Sequence, residues 1–319
     1  MLRAYETRGD VLQALPNGAS LTDTAWIDLY RPMPEQIAAV QDLGVSIPTL
    51  EDMAEIEISS RLYVDGQSNY MTAMLPGLTP AGESVSGPVT FILTPERLIT
   101  VRHHAPRPFE TFPCRADRSA SGIRSPDRLF LGLIEEVIAR LADLLEGAGA
   151  VLDSTLRGVF DQQGRQSSDL LQQTLQRIGQ ESDLIARVRL GLLSLERVLT
   201  FYSATRGKMS ETAKLKPVLR AHQRDLQALQ EHTDFLTSRV SLSVDTTMGM
   251  INLQQNDIMR VMSMLAALFL PPTLIASTYG MNFEDMPELQ WDFGYQWAIG
   301  LMVATVTGTY LFLRWKKWL

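Results

Sequence analysis

Residues 261–279 read VMSMLAALFLPPTLIASTY and residues 293–313 read FGYQWAIGLMVATVTGTYLFL; neither stretch holds a charged side chain. As helices rising 1.5 Å per residue, each is long enough to cross a hydrocarbon core of about 30 Å. A soluble alternative needs two helices that are apolar on every side within an otherwise polar chain, so length and composition favour two membrane spans. Pro271 and Pro272 fit the same reading. They would damage a soluble helix, whereas a membrane helix tolerates them where neighbours satisfy the freed carbonyls.

Flanking charge orients the pair. Between the spans, residues 280–292 carry Glu284, Asp285, Glu288 and Asp292 and no Lys or Arg. After the second span come Arg314, Lys316 and Lys317, with Trp315 and Trp318 suited to the membrane interface. The positive-inside rule puts this tail in the cytoplasm and the acidic loop outside. Two crossings then return the N-terminal part to the cytoplasm, so both termini are expected there, on the cell's inner (plasma) membrane. The opening MLRAYETRGD has no apolar core of a secretory signal. Among 319 residues, 29 Lys+Arg against 36 Asp+Glu give a net charge of −7, which argues against nucleic acid as a partner. A single cysteine, Cys114, excludes an intrachain disulfide and a Cys-rich zinc site and suits a reducing compartment; four histidines leave little room for a His-built metal centre.

The expected class is α+β, with an N-terminal α/β/α domain over 1–125, a helical region over 126–258 and a membrane domain over 259–319. Residues 25–30, 61–64, 70–75, 89–93 and 98–101 have strand character, with turns at Asp65-Gly66 and at 94–97. Residues 34–43 and 49–56 look helical, and the Ser/Gly/Pro-rich stretch 116–126 reads as a linker. Ser125-Pro126 is a helix start, followed by Phe130, Leu133, Val137, Leu141 and Leu144 at helical spacing; Gly147-Ala148-Gly149 reads as its end. A second helix is expected over about 168–200. After a break near 207–217 a third carries Leu219, Leu226, Leu229, Leu236 and Val240 in heptad-like order. Only Gly249 intervenes before the first span, so stalk and span are expected to be one helix of about 60–70 residues, some 90–105 Å long. On that helix Asn256, Met259, Ser263, Ala266, Leu270, Thr273 and Ser277 lie on one face. Small and polar residues there suit either close helix packing or the lining of an axial pore narrowed by apolar rings, with Met262 able to join Met259. Periodicity alone leaves both open.

Tyr279-Gly280-Met281-Asn282, then Phe283-Glu284 and Met286-Pro287-Glu288-Leu289, with a Lys-Lys-Trp-Leu terminus, resembles the signature of the CorA family of divalent-cation channels. The resemblance covers residues 256–319 closely and the whole chain in architecture. It implies a funnel-shaped homopentamer whose first span lines the pore while the second faces lipid. It implies influx of Mg²⁺, with Co²⁺ and Ni²⁺, driven by membrane potential, with Gly280, Met281 and Asn282 as the selectivity filter and no organic cofactor. Glu284, Asp285 and Glu288 would concentrate cations outside. It also implies closure by intracellular Mg²⁺ bound between neighbouring domains, with Asp52 at one ligand position. The partner position falls on Ala221 rather than an acid, and Asp225, one turn away, is the candidate to substitute for it as a metal ligand. A branch resembling the ZntB zinc transporters, possibly proton-coupled, shares this architecture. A membrane-anchored coiled-coil scaffold is the alternative from another class, although a tether has no use for Asn282 and four acids in its outer loop.

Enzyme signatures are absent: there is no Walker A, no Gly-x-Ser-x-Gly and no Gly-rich dinucleotide fingerprint. His103-His104 follows a strand, and its two rings are expected on opposite faces, at the surface. The topology is directly testable. Glu288→Cys in a Cys114→Ala background should react with a membrane-impermeant thiol reagent on intact cells, and labelling only after lysis would reverse the orientation.

Overall fold

The computed structural model describes residues 1–319 apart from Asp10, Asn17, Ile56, 162–167, 207–209, 282–286 and 317–319, with backbone alone at 58, 159–161, 168, 210–213 and 288–289. It divides into two compact units, Met1–Val244 and Asp245–Leu319.

In the first unit the described residues form a seven-stranded mixed sheet in the order β2-β1-β3-β7-β6-β5-β4. The strands are β1 (Leu2–Arg8), β2 (Val11–Ala14), β3 (Trp26–Tyr30), β4 (Leu62–Asp65), β5 (Ser68–Leu78), β6 (Ser84–Leu93) and β7 (Leu98–Arg102). Only β3 and β7 pair in parallel; the remaining neighbours are antiparallel. Alternation along the strands separates two apolar faces. Ile27, Leu29, Ile99 and Val101 point to the side carrying Val40 of α1 (Pro34–Gln41) and Met53 of α2 (Leu50–Ala54). Trp26, Leu98, Phe91 and Ala73 point to the side covered by α4 (Pro108–Arg115), α5 (Pro126–Asp161) and α6 (Ser168–Arg206). A short α3 (Ile58–Arg61) leads into β4.

The parallel pair is pinned by a buried polar cluster. Asp28 on β3 and Arg102 on β7 are 1% and 2% exposed, with Nη2 2.8 Å from Oδ2 and Nε 3.1 Å from Oδ1. Thr100 donates to Asp28 at 2.8 Å, and the Trp26 indole N–H donates to Thr100 at 3.1 Å. The guanidinium lies 4.6 Å from the Tyr30 ring centroid and 5.0 Å from that of Phe109, and its Nη1 donates to the His104 carbonyl at 3.2 Å. A buried pair is costly to desolvate and far costlier to break, because the survivor is left as an uncompensated charge. A one-residue slip of β3 would carry Asp28 to the opposite face, so the cluster also fixes register.

Several expectations change against this fold. His104 is buried, not at the surface: Nε2 donates to the Leu75 carbonyl at 2.8 Å, and burial holds its pKa below the ordinary imidazole value. The sheet makes room through Gly77 and Gly87, where an added Cβ would meet the ring at 2.7 Å. Gly147-Ala148-Gly149 does not end a helix, since α5 runs through it; a Cβ at Gly149 would reach Leu236 at 3.4 Å, so the small residues admit a neighbouring helix closely. The stretch 116–126 is a short 3-10 turn (Ala116–Arg118) followed by a fixed loop rather than a loose linker. Ser121 and Ile123 are buried, and the Ser121 hydroxyl donates to the Arg128 carbonyl at 2.8 Å. The hairpin β1–β2 and α4 were not anticipated.

The third long helix, α7, runs Ser210–Tyr279, 70 residues, so stalk and first span are one helix as expected. It starts ahead of Pro217, inside the anticipated break. Within the first unit Leu215, Leu219, His222, Leu226, Leu229, Thr233, Leu236, Val240 and Ser243 recur in alternating steps of four and three. Its leucines join the core of α5 and α6. Each fully buried leucine contributes about 1.5–3 kcal/mol, which is how one seam holds so long a helix against its conformational entropy.

Asp28→Ala should destabilise the purified full chain by about 3–5 kcal/mol, the range for breaking a buried pair, read as a fall in denaturant midpoint. The double change Asp28→Leu with Arg102→Met should recover most of that loss; no recovery would show that the pair does more than neutralise itself.

Candidate pore and outer mouth

The second unit contains the end of α7, a 3-10 turn at Pro287–Gln290 and α8 (Gly294–Trp315). Both helices are long and apolar enough to cross a membrane, and neither apolar window is covered by the rest of the chain. Leu270, Leu274, Phe269 and Phe293 are each at least 66% exposed. A core helix of a soluble protein would have these side chains packed; here another solvent or another chain must meet them.

The exposure is patterned. On α7, Met264, Ala267, Leu268, Pro271, Pro272, Ile275 and Tyr279 are partly buried; on α8, Gly294, Ala298, Met302, Thr305 and Thr309 are partly buried and Leu313 fully so. Each set is one stripe at helical spacing. Asn256, Met259, Met262, Ser263, Ala266, Leu270, Thr273 and Ser277 are all exposed. At 100° per residue the candidate pore stripe lies about 150° around α7 from the covered one. Thus the small and polar face singled out in the sequence is not the partly buried face of α7. Thr273 donates its hydroxyl to the Phe269 carbonyl at 2.6 Å, leaving its lone pairs outward.

The end of α7 explains its glycine. Gly280 N–H donates to the Ala276 carbonyl at 2.9 Å, and Met281 N–H to Thr278 at 3.3 Å, so the last turn tightens and stops. A Cβ at Gly280 would sit 3.1 Å from the Ala276 oxygen. Asn282, Glu284 and Asp285 lie outside the described residues, as does the side chain of Glu288. Beyond them Trp291 and Trp297 meet edge to face at 6.5 Å between centroids. At the far end of α8 Trp315 is 77% exposed, with the Lys316 ammonium 6.0 Å from its ring. Aromatic and basic residues at the ends of an apolar helix are the composition of membrane interfaces.

In the first unit Asp52 occupies the third position of α2, where its carboxylate accepts from Thr49 N–H at 2.9 Å and from the Thr49 hydroxyl at 2.7 Å. Its own N–H donates to the Thr49 hydroxyl at 3.2 Å, completing a capping box. The Thr49 hydroxyl holds the Asp52 carboxyl below the usual carboxylate pKa. Ala221 and Asp225 are exposed on α7. Among the described residues no three His, Cys, Asp or Glu side chains converge on a metal-sized site. Sequence reasoning missed two buried histidines, His104 and His222, whose only sign was a polar residue at an apolar position.

Together these features define a protein with a soluble mixed α/β unit, one long helix leading out of it and a C-terminal pair of membrane-length helices. A profile described as "CorA-like Mg2+ transporter protein" matches residues 22–316. The chain is 32% identical over 323 residues, covering all of both chains, to "Magnesium transport protein CorA" of Yersinia pseudotuberculosis serotype I (strain IP32953). The chain belongs to the CorA family. Its fold matches the complete structure of the CorA magnesium transporter from Methanocaldococcus jannaschii with a TM-score of 0.77, at 18% identity and covering 100% of this chain and 99% of that one. The ZntB cytoplasmic domain from Vibrio parahaemolyticus RIMD 2210633 is the more distant of the two structures, with a TM-score of 0.56 at 12% identity over 78% of this chain and 97% of that one. The named relative is a transport protein, not an enzyme.

Proposed function

We propose that this chain is a channel for divalent cations, carrying Mg²⁺, with Co²⁺ and Ni²⁺, into the cell through the axis of a funnel-shaped homopentamer in the inner membrane, with both termini cytoplasmic. The observation that carries the reading is the exposed stripe of α7, on the side away from its partly buried one and followed in sequence by Gly280-Met281-Asn282. In a ring of five copies that stripe lines the axis, while α8 faces lipid.

The chemistry follows from the ion. Mg²⁺ holds its octahedral water shell tightly. Five Asn282 amides offer acceptors to those waters with no fixed charge to trap the ion. Glu284, Asp285 and Glu288 raise the local cation concentration, an effect that salt weakens. An inside-negative potential of 100 mV supplies about 4.6 kcal/mol for a dication, so no nucleotide hydrolysis is required. Deeper in, Met259 and Leu270 form apolar rings where a hydrated dication loses water contacts without gaining ligands. Met262 joins the Met259 ring if the helix rotates. Asn256, Ser263, Thr273 and Ser277 keep the intervening path wet, and Ala266 leaves it wide. Internal Mg²⁺ at Asp52, meeting a neighbouring copy, biases the population towards closure. Both Thr49 contacts fall on Oδ2, which leaves Oδ1 to meet the ion. Asp225, one turn from Ala221, is the candidate acid to partner Asp52.

Asn282→Ala should abolish Mg²⁺ uptake into liposomes while membrane insertion and pentamer assembly persist; undiminished uptake by an assembled variant would remove Asn282 from the filter. Met259→Asp should wet the constriction and raise flux when internal Mg²⁺ is millimolar, and flux equal to wild type would remove Met259 from the gate.

A further inference from the structure

His222 occupies a seam position of α7 between Leu219 and Leu226, and it is 4% exposed. The other polar members of the seam are self-sufficient. Thr233 donates its hydroxyl to the Leu229 carbonyl at 2.7 Å, and Ser243 donates to Arg239 at 2.7 Å, each within its own helix. An imidazole cannot fold back in that way. The backbone of Leu131 on α5 lies near enough to favour the protonated ring, while Nε2 is buried without a partner. A neutral ring leaves one lone pair unsatisfied, whereas a protonated ring puts a charge in the seam. The second is much the more costly.

The charges that act on the ring are Glu135, facing it from α5, and Asp225 on α7 itself. Glu135 already accepts from the Ser119 hydroxyl at 2.9 Å and from the Ala120 N–H at 3.3 Å. Both contacts fall on Oε2, and Glu135 acts on the ring through its charge, with no hydrogen bond between the two.

We propose that His222 makes the seating of α7 on α5 proton-sensitive, so that acidification of the cytoplasm unseats this stretch of α7 and raises cation flux when internal Mg²⁺ is high. Burial lowers the pKa of the ring, against the opposing pull of Glu135, Asp225 and the Leu131 backbone. The sign follows. Above the ordinary imidazole pKa of about 6.5 neither the seated nor the unseated ring is protonated, and the seam has its full stability. As pH falls below that value the unseated ring takes up its proton first, and stability drains away until the seated ring titrates as well.

The test compares wild type, His222→Leu and His222→Gln as full-length protein, at about pH 7.5 and about pH 5.5, on either side of the ordinary imidazole value. The thermal midpoint of wild type should fall more on acidification than that of either variant, and the acid-induced rise in Mg²⁺ flux into liposomes should be lost in both. Glu135→Gln keeps the ring and removes a carboxylate that eases its protonation. It should therefore enlarge the acid-induced fall, which keeps the test sharp if the seam variants fail to assemble. Equal acid losses in all four proteins would overturn the proposal. A seam-dependent thermal loss in a conducting protein whose flux ignores internal pH would overturn the link to flux. The flux arm rests on the transport reading above, but the thermal arm does not: absence of flux at both pH values would count against transport and leave the thermal comparison to decide.

Discussion

One helix has to satisfy two solvents, and most of the molecule follows from that demand. Over the first part of α7 a regular seam of leucines is buried against α5 and α6; over the last part, the residues of α7 outside its partly buried stripe are uncovered apolar or small side chains. A backbone that completes its hydrogen bonds internally is what allows a single element to do both. The soluble unit can therefore be an ordinary layered domain, with a mixed sheet between helical layers, because it has only to present a surface to that seam.

The membrane part was the more legible in the sequence because its signals are long and local. Two uncharged stretches, the charge asymmetry around them and the absence of breakers before the first span were enough to give one continuous helix and a second one. The small-residue stripe was also readable, yet its meaning was not. Periodicity assigns residues to a face, and only the partial burial of Ile275 and Ala267 beside the exposure of Ser277 and Ala266 says which face is left open. Asn282 and the acids beyond it were found by resemblance; physical reasoning supplied the chemistry but not the location.

The soluble unit was harder to read, for reasons that individual residues make clear. Residues 98–101 advertise a strand, but nothing local says that β7 pairs in parallel with β3, which lies some seventy residues earlier; the Asp28–Arg102 bond that secures the pairing exists only after folding. Gly147 and Gly149 look like a helix end because glycine costs about 1 kcal/mol in a helix. Tertiary packing against Leu236 outweighs it. His104 looked exposed because alternation was applied to a segment leaving the sheet, where the space opened by Gly77 and Gly87 matters more than strand phase. Resemblance pointed to Asp52 as a ligand, while its capping box with Thr49 emerges only in the folded α2.

The sheet order has a consequence for biosynthesis. Strands β4 to β7 are successive antiparallel neighbours, joined by short turns, and can zip together as each emerges from the ribosome. The N-terminal β1, β2 and β3 pair among themselves, but β3 must wait for β7 before the three join the rest of the sheet. Contacts between sequence-distant segments form slowly. The chain nevertheless has time, because α5, α6 and the whole seam of α7 are made before residue 261 reaches the translocation machinery. The first unit can thus close around its parallel pair while still tethered to the ribosome, before the apolar end of α7 is complete.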